Sequence, residues 1–278
     1  MMLSMWKLSA TALLLSSALY AGQNDKVEDF LEDKFSGNPN IVSLDVNVID
    51  TIAMKDVKGW DAVIVNVNAT IKAKPENKTI KQKMIWFTDG TVITKELSNL
   101  ETGFALSDLV SPQFKPEYYK EENRIYGNKN AKHKVAIFSD PLCPFCKNFV
   151  PEAIRDMKKF PLTYAIYYYH FPLERIHPAS VTLTQAAVVA EHQGVKDVTL
   201  KLYKVKVRAR EHNVDKILEA FNKEFGTDIK KSDLQSSAVK EQLQSDVDIA
   251  NDVMVTGTPT MFFDGKIDKT KKKYKKAR

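Results

Sequence analysis

Cysteine is nearly absent from this chain: Cys143 and Cys146 are the only two in 278 residues. That shortage excludes a scaffold stapled by several disulfides. It also argues against a structural zinc site, which takes four ligands, commonly a second Cys-x-x-Cys or a histidine pair. The five histidines (His133, His170, His177, His192 and His212) do not supply one, because none lies three to five residues from the next. Glycine and proline, at 10 and 11 residues, are too few for collagen or wholesale disorder. No apolar run reaches the roughly 20 residues that span a bilayer. No internal repeat is visible. No metal and no cofactor is expected.

The first residues carry a different signal. Lys7 makes a short basic start, Leu8 to Tyr20 is largely apolar, and Ala21-Gly22 offers small residues at a cut. This is the pattern of a secretory signal peptide over residues 1–21. Export brings the two cysteines into a compartment where disulfides form and persist.

The net charge of +6 is concentrated at one end. Residues 266–278 hold eight basic residues and one acid, Asp268, so the rest of the mature chain is slightly acidic. Such a run suits contact with anionic lipid or nucleic acid. The plainer reading, a solvated terminus, is the one taken, and no nucleic-acid partner is expected.

Periodicity divides the mature chain. Val27, Phe30, Leu31 and Phe35 share one face of a helix expected over residues 25–35, with Gly37 as its stop. The period then changes to two, at Leu44, Val46, Val48 and again from Val63 to Ile71, which reads as half-buried strands. Met84–Phe87 and Val92-Ile93 flank Thr88-Asp89-Gly90-Thr91, a hairpin signal. A small α+β domain over residues 22–98 is expected. A polar linker follows over 99–125, with a short helix near Ala105–Leu109. The second domain, 126–278, opens with a buried strand at Lys134–Phe138. The cysteine pair and its helix follow, then a strand at Leu162–Phe171. Mainly helical sequence runs from 178 to 254, with Asn213 as a cap and Gly226 as a stop. A last strand is expected at Met261–Phe263, before an Asp264-Gly265 turn. The plan is α/β with inserted helices.

Within Cys143-Pro144-Phe145-Cys146, Pro144 suits the first position of a helix, since it needs no partner for a missing N–H. Cys143 is thereby placed at a helix N-terminus, where unpaired N–H groups and the helix dipole favour a thiolate. Cys146 lies one turn on, close enough to close a disulfide or resolve a mixed one. On this reading Cys143 is the exposed nucleophile and Cys146 the more buried resolving thiol. A purely structural bridge would close too small a loop to stabilise much. Pro259, after Gly257-Thr258 and before an apolar strand, reads either as an ordinary strand-start proline or as a cis-proline.

The stretch from Phe138 to Phe149, Phe-Ser-Asp-Pro-Leu-Cys-Pro-Phe-Cys-Lys-Asn-Phe, closely resembles the active-site segment of the DsbC/DsbG group of thioredoxin-fold thiol:disulfide interchange proteins. Pro151 stands where helices of that fold often carry a kinking proline. Gly257-Thr258-Pro259 resembles the group's cis-proline loop. The resemblance is specific over about residues 135–151 and 256–260. It implies a thioredoxin-like catalytic domain with a helical insertion, preceded by a small α+β, cystatin-like dimerisation domain. It also implies that Cys143 attacks, that Cys146 resolves, and that Pro144, Phe145, Thr258 and cis-Pro259 support the site or the substrate. Two departures are informative. Ile137 stands where thioredoxin and DsbA carry an acid, and Phe145 stands where DsbA carries His.

What the resemblance implies for function is a periplasmic, homodimeric disulfide isomerase. It would act on disulfide-containing or unfolded exported proteins and be reset by a DsbD-like membrane reductant. A DsbA-like oxidase, reset by a DsbB-like partner, is the alternative. It is favoured by Tyr169-His170-Phe171-Pro172-Leu173 with His177-Pro178, which resembles DsbA-like relatives. A periplasmic chaperone or holdase is the reading of another class.

Overall fold

The computed structural model describes residues 8–55 and 57–277, with side chains from Gly22 onward apart from that of Asp108. Lys7 and the side chains of the expected leader lie outside the described residues. The chain divides into two compact units between Pro112 and Gln113. Among the described residues no helix is long and apolar enough to cross a membrane.

The first unit is one helix on a meander. Helix α1 (Leu8–Ser36) contains the expected helix and runs back through Ala21 and Gly22. Strands β1 (Ile41–Ala53), β2 (Asp61–Ile71), β3 (Lys78–Thr88) and β4 (Ile93–Thr94) pair antiparallel in the order β1-β2-β3-β4. Val27 and Leu31, one turn apart on α1, pack on Val46, Val63, Val65 and Trp86. Phe30, expected on that face, is exposed, and the Lys34 ammonium lies 5.7 Å from its ring. Phe30 directly precedes Leu31, and the roughly 100° turn between successive helical residues carries it to the edge of the Val27–Leu31 line and towards water. The short helix expected near Ala105 is a 3-10 turn over Leu106–Leu109.

The second unit is a five-stranded sheet in the order β5-β7-β6-β8-β9, built from β5 (Arg124–Tyr126), β6 (His133–Ser139), β7 (Tyr164–His170), β8 (Thr260–Phe263) and β9 (Lys266–Ile267). Only β6 and β7 run parallel. They are joined by α2 (Pro144–Lys158), a βαβ crossover. Both faces of this sheet are covered. Val135, Ile137, Tyr164, Ile166 and Tyr168 point towards α2, while Ala136, Phe138, Ala165, Tyr167 and Tyr169 meet Ile249, Ala250 and Val253. That is why these strands read as continuous apolar runs rather than alternations.

The helical insertion holds α3 (Ala179–His192), α4 (Val198–Leu202), α5 (Val214–Phe225) and α6 (Ser237–Asp252). Asn213 caps α5 by accepting from the N–H groups of Asp215 and Lys216, and Gly226 closes it in the left-handed region at φ 67°. Gly127, at φ 81°, leads from β5 towards β6 so close to the chain that an added Cβ would lie 1.9 Å from the Tyr164 carbonyl oxygen.

Residues 113–125, expected within the linker, pack into the second unit. Phe114 is buried among the rings of Tyr118, Tyr119, Phe138, Tyr169 and Phe262. The buried Asn123 amide donates to the Tyr168 carbonyl (3.0 Å) and to Asp246 on α6 (2.7 Å). Polar composition hid this segment, because its anchoring depends on a few aromatic and amide side chains rather than a periodic stripe.

The basic end is not a solvated tail. Asp268 is buried and accepts from Thr270 Oγ1 (2.7 Å) and the Lys273 N–H (2.9 Å). It thereby turns the chain into a short last helix, α7 (Lys273–Lys276). Tyr274 is 1% exposed and packs in the same core as both cysteines, and the Tyr164 hydroxyl donates to its carbonyl at 2.6 Å. Two inward residues in a run with eight basic residues carry too little sequence signal to show this anchoring.

Candidate active site

β6 ends at Ser139, and the chain turns through Asp140-Pro141-Leu142 into α2. Cys143 is the N-cap of that helix, with Pro144 at its first position. Pro151 lies within α2, which continues through it to Lys158. The two cysteines are free thiols in this structure. Cys143 differs from expectation in one respect: it is 4% exposed, and Cys146 is fully buried. The exposed residue of the motif is Phe145, at 74%. A ring on the first turn of α2 is thus presented to solvent beside a thiol that is itself recessed.

The segment before β8 closes over the thiols. The Thr258–Pro259 peptide bond is cis. The Cys143 thiol donates to the Thr258 carbonyl at 3.5 Å. Residues 143 and 258, separated by 115 positions, are therefore in direct contact. Phe145, Phe149, Thr258 and Pro259 line a groove of about 650 Å³ with Lys271, Lys272 and Lys275 of the basic end.

Burial governs Cys146. It pushes the thiol up to about 11, against a partial pull downward led by the Ser139 hydroxyl. Ser139 belongs to a buried hydroxyl chain, with its Oγ 2.6 Å from Tyr203 Oη and that oxygen 2.9 Å from Tyr168 Oη. This chain lies on the helix side of β6 and β7, where the acid-free Ile137 leaves no carboxylate. Composition alone did not reveal it, since Tyr203 comes from the loop after α4.

The most heavily bonded group at the site is Asp140, to which the sequence alone assigns no role. Its side chain is completely buried. One carboxylate oxygen accepts from the N–H groups of Leu142 (2.7 Å) and Cys143 (3.2 Å) and from the Ser180 hydroxyl (2.6 Å). The other accepts from the Leu173 N–H (2.8 Å) and faces His177 Nδ1 at 3.0 Å. Asp140 therefore holds the turn before Cys143 to the start of the helical insertion. The available signal was His177-Pro178 at a helix start, which pointed to a family likeness rather than a bond.

Among the described residues no group of three or more His, Cys, Asp and Glu is arranged to hold a metal ion. The chemistry on offer is that of two thiols one helical turn apart, one at a helix N-terminus and one deep in the core.

Residues 119–278 match a family model described as Thioredoxin. The chain belongs to this thioredoxin family. Among solved structures, the thioredoxin-like oxidoreductase from Silicibacter pomeroyi is 19% identical, with a TM-score of 0.47, over 54% of this chain and 84% of that one. ScsC of Proteus mirabilis in a transitional conformation is 22% identical, with a TM-score of 0.45, over 55% and 68%. Oxidised BdbD of Bacillus subtilis is 20% identical, with a TM-score of 0.44, over 60% and 92%. A curated protein from Mycolicibacterium gilvum, named Na(+)/H(+) antiporter NhaA 1, is 28% identical over 152 residues, which make up 52% of this chain and 24% of that protein. The chain thus spans about a quarter of that protein's length. The thioredoxin match takes in the cysteine pair, the helical insertion, cis-Pro259 and the basic end, and leaves the first unit outside it.

Proposed function

We propose that this thioredoxin-family protein is a thiol–disulfide oxidoreductase of exported proteins, working in the periplasm through Cys143 and Cys146. The observation that carries the reading is the Cys143 thiol at the N-cap of α2, held 3.5 Å from the Thr258 carbonyl next to cis-Pro259. A thiolate at that position gains the N–H groups and dipole of the helix. A substrate strand laid along residues 257–259 would have its sulfur directed at Cys143, with backbone pairing of the kind that added strands use.

The chemistry balances without a cofactor. The Cys143 thiolate attacks one sulfur of a substrate disulfide. A Cys143–substrate S–S bond forms, the substrate S–S bond breaks, and the other substrate sulfur leaves as a thiolate that takes a proton. Cys146 then loses its proton and attacks Cys143 Sγ, which releases the second substrate thiolate. The substrate gains two electrons, and Cys143–Cys146 becomes the disulfide. If the substrate's own thiol attacks the mixed disulfide first, Cys143 leaves as a thiolate and the net result is isomerisation.

Isomerisation is the finer reading we adopt, in a homodimer joined through the first unit. The support for the dimer is β1, a thirteen-residue edge strand with Val42 and Ile49 exposed and one edge without a partner strand among the described residues. A membrane reductant of DsbD type would keep the thiols reduced.

The deciding experiment has three parts. Refolding of a scrambled-disulfide substrate should stop when Cys143 and Cys146 are both replaced by alanine. Survival of refolding would end the redox reading, and survival of aggregation suppression alone would mark a holdase. Alkylation trapping in cells should find the pair mostly reduced; a mostly oxidised pair would make the protein an oxidase. The mass of the full mature chain in solution should be that of two copies.

A further inference from the structure

The basic end, folded back as α7, forms one wall of the groove at the cysteine pair. Lys271, Lys272 and Lys275 line it opposite Phe145 and Phe149. The placement is enforced from below, since Asp268 and Tyr274 are both 1% exposed and tie this segment to the core. One cation is partly answered by a neighbour: Lys275 Nζ lies 3.5 Å from Glu152 Oε1. Among the described residues no carboxylate is bonded to the side chain of Lys271 or Lys272. The nearest acid in sequence, Asp268, is turned inward and already accepts from Thr270 and Lys273. The groove therefore sets apolar rings beside three lysines and one acid, Glu152, a net positive lining next to the Cys143–Thr258 contact, on a unit whose remaining sequence does not share that basicity.

We infer that the lysine wall selects the polypeptide that docks at Cys143, favouring extended segments with acidic residues flanking their cysteine. The inference rests on the thiol-exchange reading and adds a substrate class to it. The partner is a polypeptide rather than a lipid or a nucleic acid, because the groove is lined by two phenylalanine rings and by residues 256–260, and the recessed Cys143 thiol lies directly behind it against the Thr258 carbonyl. Those groups suit a cysteine, its apolar neighbours and an extended main chain. The lysines then act on the flanks, where carboxylates raise the local concentration of the right segment and steer its approach.

The test uses the full mature protein, reduced, and three synthetic peptides. Each carries one cysteine as a mixed disulfide with 2-nitro-5-thiobenzoate, and they differ only in glutamate, glutamine or lysine flanks. Release of the coloured thiolate gives the exchange rate. At low salt the glutamate peptide should react about tenfold faster than the glutamine peptide. The gap should close at about 0.3 M salt, where screening is within a few ångströms. Replacing Lys271, Lys272 and Lys275 by glutamate should invert the order, so that the lysine peptide becomes the fastest. Inversion is a result that loss of folding could not produce. Equal rates for the glutamate and glutamine peptides with the unaltered protein, or a glutamate preference that survives charge reversal, would overturn the inference. If no peptide exchanges at all, the thiol-exchange reading falls. Anisotropy with labelled peptides carrying Ser for Cys then decides the groove alone, where tighter binding of the glutamate peptide is required.

Discussion

Strand β1 of the first unit buries a single residue of its thirteen, Val46, whereas β7 of the second buries all seven of its own. The contrast follows from what covers each sheet. β1 is an edge strand whose Val46 meets one helix, so its sequence is free to alternate Val46 and Val48 with Asp45 and Asn47. β7 lies inside a sheet with helices on both faces, so tyrosines and apolar residues follow one another without a break. Three of the four tyrosine hydroxyls of β7 have partners: Tyr164 in the Tyr274 carbonyl, Tyr168 in Tyr203 and Tyr169 in the Tyr118 carbonyl. The two-sided unit provides the rigid, water-poor setting in which a recessed thiol can be held against a carbonyl. The first unit also buries Ala62 and Ile64 on the face away from the helix, and among the described residues it leaves one edge of β1 without a partner strand.

The two units can be perturbed and followed separately, because each carries its own probe. Trp60 and Trp86 lie in the first unit, and both cysteines lie in the second. Tryptophan fluorescence therefore follows one unit, and protection of the buried thiols from alkylation follows the other. The largest effect should come from Asp140→Ala. It leaves the N–H groups of Leu142, Cys143 and Leu173, the Ser180 hydroxyl and His177 without their common acceptor. Loss of one partner from such a buried cluster costs about 3–5 kcal/mol. In urea the thiols should lose protection early while the tryptophan transition stays in place. Coincident shifts would show that the two units unfold as one. The converse substitution, Leu31→Ala, empties the helix side of the first sheet and should cost about 2–5 kcal/mol. It should move the tryptophan transition and leave thiol protection and exchange rate as they were.

A pH series sharpens the same division. Burial pushes the carboxyl of Asp246 up from its ordinary 3.8 to about 7. Between those values the folded state holds a proton that the unfolded state has released, so this group's contribution to stability falls as pH rises through 7. The neighbouring His170, whose N–H donates to Asp246 at 2.8 Å, is held down to about 4 by burial. Between about 4 and 6.5 its unfolded form carries the extra proton, so its contribution falls as pH falls. The two slopes oppose one another, and the wild-type profile conceals both. Asp246→Asn exposes them: relative to the variant, the wild type should lose about 1.4 kcal/mol per pH unit between pH 4 and 7, read from thiol protection. A constant difference across that range would mean that Asp246 is ionised throughout.

How much of this was legible in the sequence depends on periodicity. The strands, the α5 cap at Asn213, the stop at Gly226 and the helix start at Pro144 were readable because each rests on local chemistry or on a repeat of apolar positions. The cysteine pair stood out by scarcity. Asp140, Tyr203 and Tyr274 were not readable as site residues, since each also bonds to a partner 33 to 110 positions away. Residues 113–125 and the basic end were misjudged for the same reason. Their composition is that of exposed chain, and their anchoring lies in Phe114, Asn123, Asp268 and Tyr274, single inward residues that no stripe announces. Exposure of Cys143 was expected from its role, but the pair is recessed and Phe145 takes the surface.

The smallest effect expected is at Ser139, and it separates the two thiols rather than the two units. The Ser139 hydroxyl pulls the Cys146 thiol down against the upward push of burial. Ser139→Ala removes that pull, so less Cys146 is ionised at neutral pH and resolution of a mixed disulfide slows. A hydrogen bond worth about 1 kcal/mol sets the change at roughly fivefold. Attack by Cys143 does not pass through Ser139, so quenched-flow mass spectrometry should find the mixed disulfide forming at the wild-type rate and persisting about five times longer. Raising the pH should narrow the difference, because the deficit is one of thiolate fraction. Ser139→Thr, which keeps the hydroxyl, should restore resolution. If the mixed disulfide decays at the wild-type rate in Ser139→Ala at every pH, the hydroxyl chain through Tyr203 and Tyr168 serves only to satisfy buried oxygens in the core, and Cys146 is set by burial alone.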